Sequence, residues 1–448
     1  MAGKTMPDTK QILALNRFEA KEGGALDPAI ADLVERRETT FGASSVLFYR
    51  EPLHIVRAEG VFMYDADGKR YLDTYNNVVQ VGHCHPHVVE AIAKQAATLN
   101  TNTRYLYDNI HDYAERLLET YPASLSNIVF TCTGSEANDI ALRLAKLFTG
   151  GQGFVVTETA YHGNTAAVSE VSPASFKGRA LPAHIRAVPA PDSYRRPTDD
   201  LGERFASEIE EAIGELEEEG IPFAGFIADS IFSSDGIYAD PPGFLEPAIE
   251  AVHNAGGLFI GDEVQPGFGR TGSHMWGFQR HGVTPDIVTM GKPMGNGFPL
   301  AGVVTRPEIL EPFAEETGYF NTFGGNPVAA AAGLAVLDVL EDEGLLENAE
   351  RMGGYFRQAL DAMQQLNPCI GDVRSAGLFI GIEFSKPGTT DPDPATAVSV
   401  INAMKDEGVL IGAAGADGNI LKLRPPLCLE QEHVDFFLET LFEVLSDL

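Results

Sequence analysis

Apolar residues along this chain fall into two alternating patterns, short continuous runs and longer stretches with helical spacing. Continuous runs with the length of a buried β-strand occur at residues 128–130, 154–156, 225–228 and 258–260. One intervening stretch has apolar residues at helical spacing among many carboxylates, at Phe205, Ile209, Ile213 and Leu216. Strands that alternate with helices predict an α/β fold whose sheet is mainly parallel and doubly wound.

The two ends of the chain have different patterns. Residues 1 to about 45 have helical spacing, and residues 55–73 predict a β-meander with a hairpin turn at Asp67-Gly68. Beyond residue 326 the pattern predicts a small α+β unit that closes with an amphipathic helix. The apolar face of that helix comprises Val434, Phe437, Leu438, Leu441, Phe442 and Leu445. We therefore predict that residues 1–72 contribute to a small domain, that 73–326 form a large domain, and that 327–448 form the C-terminal small domain.

A helix start follows the first of the buried strands. Thr133 and Glu136 have the spacing of a capping box. The inner face of the helix is predicted at Ala137, Ile140, Ala141, Leu144, Ala145 and Phe148. The free amides and the dipole at such a helix start favour an anion. This turn could therefore bind a phosphate, as the corresponding turn of any α/β unit could.

Composition narrows the possible partners and compartments. The formal net charge is −32, from 64 acidic and 32 basic residues among 448. Such a charge repels nucleic-acid backbones and anionic membranes, so neither is expected as a partner. The cysteines are scattered, without a Cys-x-x-Cys pair or a histidine cluster at zinc spacing, so we predict reduced thiols and no metal. Without a signal-peptide pattern or a membrane-length apolar run, the sequence predicts a cytoplasmic protein.

Two charged residues, Asp262 and Lys292, each stand where an apolar run ends, and glycines and a proline surround the lysine. Ligands of open α/β sheets bind at the carboxyl ends of the strands, so both side chains are expected at one site. A lysine in a pocket that disfavours its charge can condense with an aldehyde, and an acidic partner can keep a pyridine nitrogen protonated. Pyridoxal phosphate needs both groups.

A second motif points to a different cofactor, but its context is wrong. Residues 267–272 match the Gly-x-Gly-x-x-Gly fingerprint of dinucleotide-binding folds. Pro266 separates this motif from the preceding strand, and no helical pattern follows it. A nicotinamide cofactor is therefore not expected.

Five motifs occur together in the chain. They are Thr-Gly-Ser-Glu-Ala-Asn at 133–138, Tyr-His-Gly at 161–163, Asp-Glu-Val-Gln at 262–265, the glycine-rich loop around Lys292, and Asn-Thr-Phe-Gly-Gly-Asn-Pro at 321–327. In their order and spacing they resemble the class III (omega) aminotransferases of the fold-type I pyridoxal-phosphate enzymes. The resemblance extends over nearly the whole chain after the region of Val46. It implies a fold-type I transferase with pyridoxal 5'-phosphate bound in the large domain.

The resemblance implies catalytic roles for Lys292 and Asp262. Lys292 would bind the cofactor covalently and, once a substrate displaces it, would carry the proton as base and acid. Asp262 would pair with the pyridine nitrogen. Gln265 would reach the ring hydroxyl, and Val264 would pack against one face of the ring.

The resemblance also implies how the rest of the cofactor is held. Tyr161 would stack on the other face of the ring, with His162 beside it. Gly134 and Ser135 would hold the phosphate. Thr322 would reach the phosphate of a neighbouring subunit, which implies a homodimer with shared sites and leaves open whether dimers pair into tetramers.

Three residues are predicted to contact the substrate. Within the family the chain most resembles the branch that contains ethanolamine-phosphate phospho-lyase. Asp229-Ser230 stands where aminotransferases commonly have Glu-Pro, and Lys422 where many have an arginine that binds carboxylates. These two positions are expected to keep an ion pair. Arg104 is the third, with Arg424 as a further cation whose direction the sequence leaves open.

Two reactions remain open, because both use Lys292 in the same way. The first choice is an aminotransferase that moves an amino group from a primary amine or omega-amino acid to a keto acid. The alternative is a lyase that eliminates phosphate from a small amine such as O-phosphoethanolamine. A non-catalytic binding protein is disfavoured, since Lys292, Asp262 and Gln265 are all present.

Overall fold

The computed structural model describes residues 15–19, 26–44, 46–176 and 178–448. The strands, in chain order, are β1 (Ile55–Glu59), β2 (Phe62–Asp65), β3 (Arg70–Asp73), β4 (Asn127–Thr131), β5 (Gly153–Thr157), β6 (Ile185–Val188), β7 (Phe223–Ala228), β8 (Leu258–Asp262), β9 (Ile287–Met290), β10 (Ala301–Thr305), β11 (Ile370–Ala376), β12 (Phe379–Phe384), β13 (Val409–Leu410), β14 (Gly412–Ala414) and β15 (Ile420–Leu423). The α-helices are α1 (Pro28–Phe41), α2 (Pro86–Ala96), α3 (Asp108–Leu118), α4 (Gly134–Thr149), α5 (Ala166–Glu170), α6 (Leu201–Glu218), α7 (Glu246–Asn254), α8 (Pro307–Glu316), α9 (Pro327–Asp342), α10 (Leu345–Leu366), α11 (Pro394–Asp406) and α12 (Gln431–Ser446).

The central sheet has the strand order β4-β10-β9-β8-β7-β5-β6. Its strands from β9 through β6 run parallel, whereas β10 pairs antiparallel with both β4 and β9. The two faces of β5 pack into different core layers: Phe154 and Val156 join residues of α4, and Val155 joins residues of α6. Burial on both faces explains the continuous apolar runs, and the predicted α/β fold is confirmed.

Two smaller sheets flank the central one. The predicted meander forms β1, β2 and β3, and β13 from near the C-terminus extends this sheet by pairing parallel with β3. The other sheet, in the order β11-β12-β15-β14, is antiparallel. The division of the chain at residues 72 and 326 stays a prediction.

The predicted helices are mostly confirmed, but two residues that were assigned to buried helix faces are exposed. Asp27 caps α1 by accepting a hydrogen bond from the Ala29 amide at 2.8 Å. Phe148 and Phe442, both predicted to be buried, are 41% and 51% exposed. Phe148 lies in the final turn of α4, and Phe442 lies at the edge of the buried stripe, one position past Leu441.

Other predictions concern the chain termini, the membrane and the cysteines. The helical stretch predicted in residues 1 to about 45 is described in part: α1 covers Pro28–Phe41, and residues 1–14 lie outside the described residues. Among the helices that the structure describes, none has the length and apolar character needed to cross a bilayer. All four cysteines are free thiols, as predicted.

Candidate active site

One cavity of about 330 Å³ lies at the carboxyl ends of the parallel strands in the central sheet. It brings together nine of the residues that the sequence predicted for the site. These are Gly134, Ser135, Tyr161, His162, Asp229, Asp262, Val264, Gln265 and Lys292. The place is the one where open α/β sheets bind their ligands.

The Asp262 carboxylate at the end of β8 is buried and held from several sides. His162 Nδ1 lies 2.7 Å from its Oδ2, and Asn138 Nδ2 donates to the same oxygen at 3.1 Å. The Val264 amide donates to Oδ1 at 3.1 Å, and Thr289 Oγ1 donates to Asn138 Oδ1 at 2.7 Å. The carboxylate is thus fixed in one orientation. The sequence analysis missed Asn138 and Thr289, although both are polar residues within buried stretches of α4 and β9.

The start of α4 provides an anion-binding turn. Thr133 Oγ1 accepts from the Glu136 amide at 3.1 Å and Glu136 Oε2 accepts from the Thr133 amide at 3.1 Å, which confirms the capping box. The amides of Gly134 and Ser135, in the first helical turn, have no intrahelical partner. Gly163 adopts φ +145°, and a Cβ there would lie 2.5 Å from Ser135 Oγ. The turn after β5 therefore closes directly over the helix start.

Lys292 follows β9 and lines the same cavity as the start of α4. Burial of its amine lowers the pKa of Lys292 to about 8, although the charge of Asp262 opposes the shift. A lysine with a pKa near 8 has a substantial neutral fraction at physiological pH, and the neutral amine is the nucleophile that attacks an aldehyde.

A second cavity of about 180 Å³ adjoins the first and shares Tyr161, Gln265 and Lys292 with it. Two cations from the segment around β15 line it, Lys422 and Arg424. Both side chains are at least nine-tenths buried. A ligand bound to Lys292 can therefore extend directly toward the buried Lys422 and Arg424 side chains.

The contacts of these two cations are with neutral groups. Lys422 Nζ donates to the Ser233 carbonyl at 3.2 Å. Arg424 Nη1 donates to Asn77 Oδ1 at 3.2 Å and to Gln265 Oε1 at 3.0 Å, and its guanidinium lies 5.0 Å from the centre of the Tyr75 ring. No carboxylate in the described ranges lies within salt-bridge distance of either cation. Burial, and then the charge of Arg424, lowers the pKa of Lys422 well below its usual range.

Asp229 does not form the expected ion pair with Lys422. Its oxygens accept hydrogen bonds from the Ser233 amide at 3.0 Å, from Ser233 Oγ at 2.8 Å and from the Ile231 amide at 3.0 Å. The Asp229 side chain, which is shorter than the glutamate common in aminotransferases, accepts hydrogen bonds from three donors of its own loop and therefore does not reach Lys422. Lys422 thus has no direct carboxylate partner among the described residues.

Two predicted residues, Arg104 and Thr322, lie outside both cavities. Both are exposed, and the Arg104 guanidinium stacks on the Phe320 ring at 4.1 Å from its centre. The structure therefore brings Arg104 close to the loop that carries Thr322, away from Lys292 of the same chain. Arg104 does not contribute to the cation pair, and Arg424, whose direction the sequence left open, does.

The chain belongs to the class III aminotransferases: the family model for "Aminotransferase class-III" matches residues 48–445. It is 44% identical over 93% of its length to "Alanine--glyoxylate aminotransferase 2-like" from Drosophila melanogaster, covering 87% of that protein. It is 40% identical to "Ethanolamine-phosphate phospho-lyase homolog 1" from Caenorhabditis elegans, with 93% of each chain covered. A solved phospholyase from Arthrobacter in complex with phosphoethanolamine has a TM-score of 0.90 and 44% identity, covering 93% of this chain and all of that one.

The family uses pyridoxal phosphate, and the first cavity fits this cofactor. The free amides at the start of α4 suit a phosphate, the buried Asp262 carboxylate suits a protonated pyridine nitrogen, and the Lys292 amine suits an aldehyde carbon. When bound, the cofactor supplies an electron sink for a carbanion formed next to an amine nitrogen. His162 Nε2 is buried without a hydrogen-bond partner in the described part of the chain, so the site also has a free polar atom beside Asp262.

We expect the rate at which the apoenzyme binds pyridoxal phosphate covalently to rise with pH. Burial lowers the pKa of Lys292 to about 8, so the reactive neutral amine is the minor form below pH 8 and the major form above it. The rate should increase about tenfold per pH unit between pH 6 and 7.5 and level off above pH 8.5. Stopped-flow absorbance at the cofactor band measures this rate. A rate that keeps rising steadily to pH 10.5 would show an unshifted lysine.

Proposed function

We propose that this protein is a pyridoxal-phosphate-dependent lyase that eliminates phosphate from a small phosphorylated primary amine such as O-phosphoethanolamine. The observation that carries the proposal is the pair of buried cations, Lys422 and Arg424, next to Lys292 and without a carboxylate partner among the described residues. Buried charges are costly unless they are paired. A dianionic phosphate on the substrate would supply the missing negative charge.

The relatives carry both names, and among the solved structures a phospholyase supports the lyase. One relative is named a phospho-lyase homolog and another an aminotransferase, at similar identity. The solved phospholyase contains phosphoethanolamine. The sequence alone put the aminotransferase first. The absence of an Asp229–Lys422 ion pair and the inward-facing Arg424 now favour the lyase.

The proposed roles follow from the positions of the side chains. Lys292 would take the proton from the carbon that carries the amine. The electrons of that C–H bond would form a new carbon–carbon double bond as the neighbouring carbon–oxygen bond breaks, and the phosphate would leave with the electron pair. Lys422 and Arg424 would bind the phosphate before and after this step. Asp262 would keep the ring nitrogen protonated, and water would convert the released enamine to an aldehyde and ammonia.

A separate residue set would hold the cofactor. We propose that Gly134 and Ser135 bind its phosphate, that Val264 and Tyr161 cover the two ring faces, and that Gln265 reaches the ring hydroxyl. In the structure Gln265 Nε2 donates to Ser233 Oγ at 2.7 Å while its oxygen accepts from Arg424. Gln265 therefore lies between the cofactor cavity and the cation pair.

An aminotransferase remains the second candidate, since a relative at 44% identity carries that name and the cation pair can also bind a carboxylate. The holoenzyme incubated with O-phosphoethanolamine and no keto acid separates the two. A lyase is expected to release inorganic phosphate and ammonia in equal amounts over many enzyme equivalents. An aminotransferase would release no phosphate and would stop after one equivalent until pyruvate or another keto acid is added.

We also propose a homodimer in which Thr322 completes the phosphate site of the other subunit. The support is a set of exposed apolar side chains around Arg104 and Thr322, namely Leu99, Tyr105, Leu106, Phe320 and Phe323. Leu106 is 93% exposed, and a group of exposed apolar side chains of this kind marks an interaction surface. Analytical ultracentrifugation at micromolar concentration is expected to give twice the chain mass of 48.2 kDa. A monomer at all concentrations would contradict this proposal.

The cytoplasmic location is likewise a proposal, supported by the four unpaired thiols, which suit a reducing compartment. A relative from Arabidopsis thaliana is named mitochondrial. Fractionation of cells that express the natural gene, followed by detection of the protein, would distinguish the two compartments.

A further inference from the structure

The motif at residues 267–272, which resembles a dinucleotide fingerprint, has another use in this fold. Phe268 adopts φ +59°, Gly269 +76° and Gly272 +74°, so the segment is a series of tight turns and no helix begins there. These turns carry Arg270 inward. Its side chain is completely buried and is among the largest buried side chains of the protein.

The Arg270 guanidinium joins three segments that are far apart in the chain. Nη1 donates to the carbonyls of Leu378, at 3.3 Å, and of Pro425, and Nη2 donates to Gln80 Oε1 at 2.7 Å. The backbone of Gln80 returns to the same place, since its carbonyl accepts from the Leu427 amide at 2.8 Å. The Arg270 guanidinium therefore bonds to Pro425 directly and to Leu427 through Gln80, on the two sides of the turn that follows Arg424.

Arg270 is also a buried cation without an ionic partner. Across the described segments no carboxylate comes within salt-bridge distance of it. Burial, and next the charge of Arg424, lowers the pKa of Arg270 to about 9, which leaves it charged at neutral pH. A neutral side chain could bridge these carbonyls without the desolvation cost of a buried positive charge. Its charge adds to the positive potential around Arg424.

We infer that Arg270 is a positioning residue for the anion subsite: it holds the carbonyl of Pro425 and thereby fixes Arg424 in its inward-facing place. This inference rests on the proposed function, because it takes the subsite of Lys422 and Arg424 to bind the substrate's phosphate. The planar guanidinium donates hydrogen bonds to two carbonyls and an amide oxygen at once. A lysine, which is a flexible point charge, cannot replace it.

The test measures anion binding, not turnover. Inorganic phosphate and acetate are titrated by calorimetry into the holoenzymes of wild type, Arg270→Lys and Arg270→Gln, whose own cofactor phosphate occupies the start of α4. Arg186→Gln is the control for loss of an arginine far from the site. Arg186 also donates to two carbonyls, Ala183 O at 2.8 Å and Ile185 O at 3.2 Å, but it forms ion pairs with Glu215 and Glu219 and lies on β6 at the far edge of the central sheet. Cofactor content and thermal midpoint are recorded for each variant.

We expect wild type and the Arg186 variant to bind phosphate alike. The Arg270→Lys variant should bind phosphate about tenfold more weakly, Arg270→Gln at least as weakly, and both should lose less affinity for acetate while keeping full cofactor content. Should Arg270→Gln fail to fold, Arg270→Lys decides alone. Wild-type affinity for phosphate in Arg270→Lys, or a parallel loss of phosphate, acetate and cofactor, overturns the inference. Absence of phosphate binding by the wild type would instead overturn the anion subsite of the proposed function.

Discussion

The Lys292→Ala variant is expected to lose turnover by at least about 10³-fold. Lys292 would both attach the cofactor and move the proton, and no other lysine in the described residues lines the cofactor cavity. The variant should still bind pyridoxal phosphate through the start of α4 and Asp262, but without the absorbance band of a lysine-bound cofactor. Steady-state assays of phosphate release, together with absorbance spectra and borohydride trapping, measure both effects.

Lys386→Ala is the control for this experiment. Lys386 is exposed on a loop and lies 3.9 Å from Asp391, an arrangement that contributes little to stability. It should keep full activity and the normal spectrum. Turnover by Lys292→Ala within tenfold of the wild type would remove the central assumption of the proposed function, whichever of the two reactions the enzyme catalyses.

Replacing Arg424 by methionine is expected to lower kcat/KM for O-phosphoethanolamine by about 10²-fold or more. Loss of one partner from a buried, charge-assisted contact costs about 2–5 kcal/mol. The substitution would also leave the Gln265 oxygen and Asn77 Oδ1 without their donor. Lys422→Met should show a loss of similar size, because its ammonium would bind the same phosphate.

Amines without an anionic group provide the comparison for the Arg424 and Lys422 variants. Propylamine has no group for the cation pair to bind, so its reaction with the bound cofactor, followed as a change in absorbance, should be nearly the same in wild type and both variants. Equal losses for propylamine and O-phosphoethanolamine would mean that the substitutions damage the cofactor cavity. Unchanged kinetics for both amines would place the anion site elsewhere.

The sequence predicted the fold and the cofactor cavity because their signals are local. Strands β5, β7 and β8 are continuous apolar runs, and a strand's carboxyl end is defined by its own last residue. Asp262 and Lys292 could thus be assigned to one edge of the sheet without knowledge of any contact. The sequence signal for the start of α4 was equally local, because the capping box lies within residues 133–136.

The substrate side could not be predicted in the same way, because it depends on the directions of side chains from distant segments. Lys422 and Arg424 both line the second cavity, as residues two positions apart in extended chain lie on the same face, but the sequence did not show which face of β15 meets the site. Asp229 was expected to reach Lys422, but the donors of its own loop hold it. Arg104 and Thr322 are exposed in a single chain, and their roles stay predictions.

The parallel pairing of β13 with β3 has a consequence for how the protein is made. Until residues 409 and 410 leave the ribosome, β3 is an uncovered edge strand, and such edges are templates for pairing with other chains. At about 5–20 residues per second, synthesis from residue 72 to residue 409 takes roughly 20–70 s. The nascent chain therefore has an uncovered edge at β3 that the folded protein does not, and slower synthesis would lengthen its exposure.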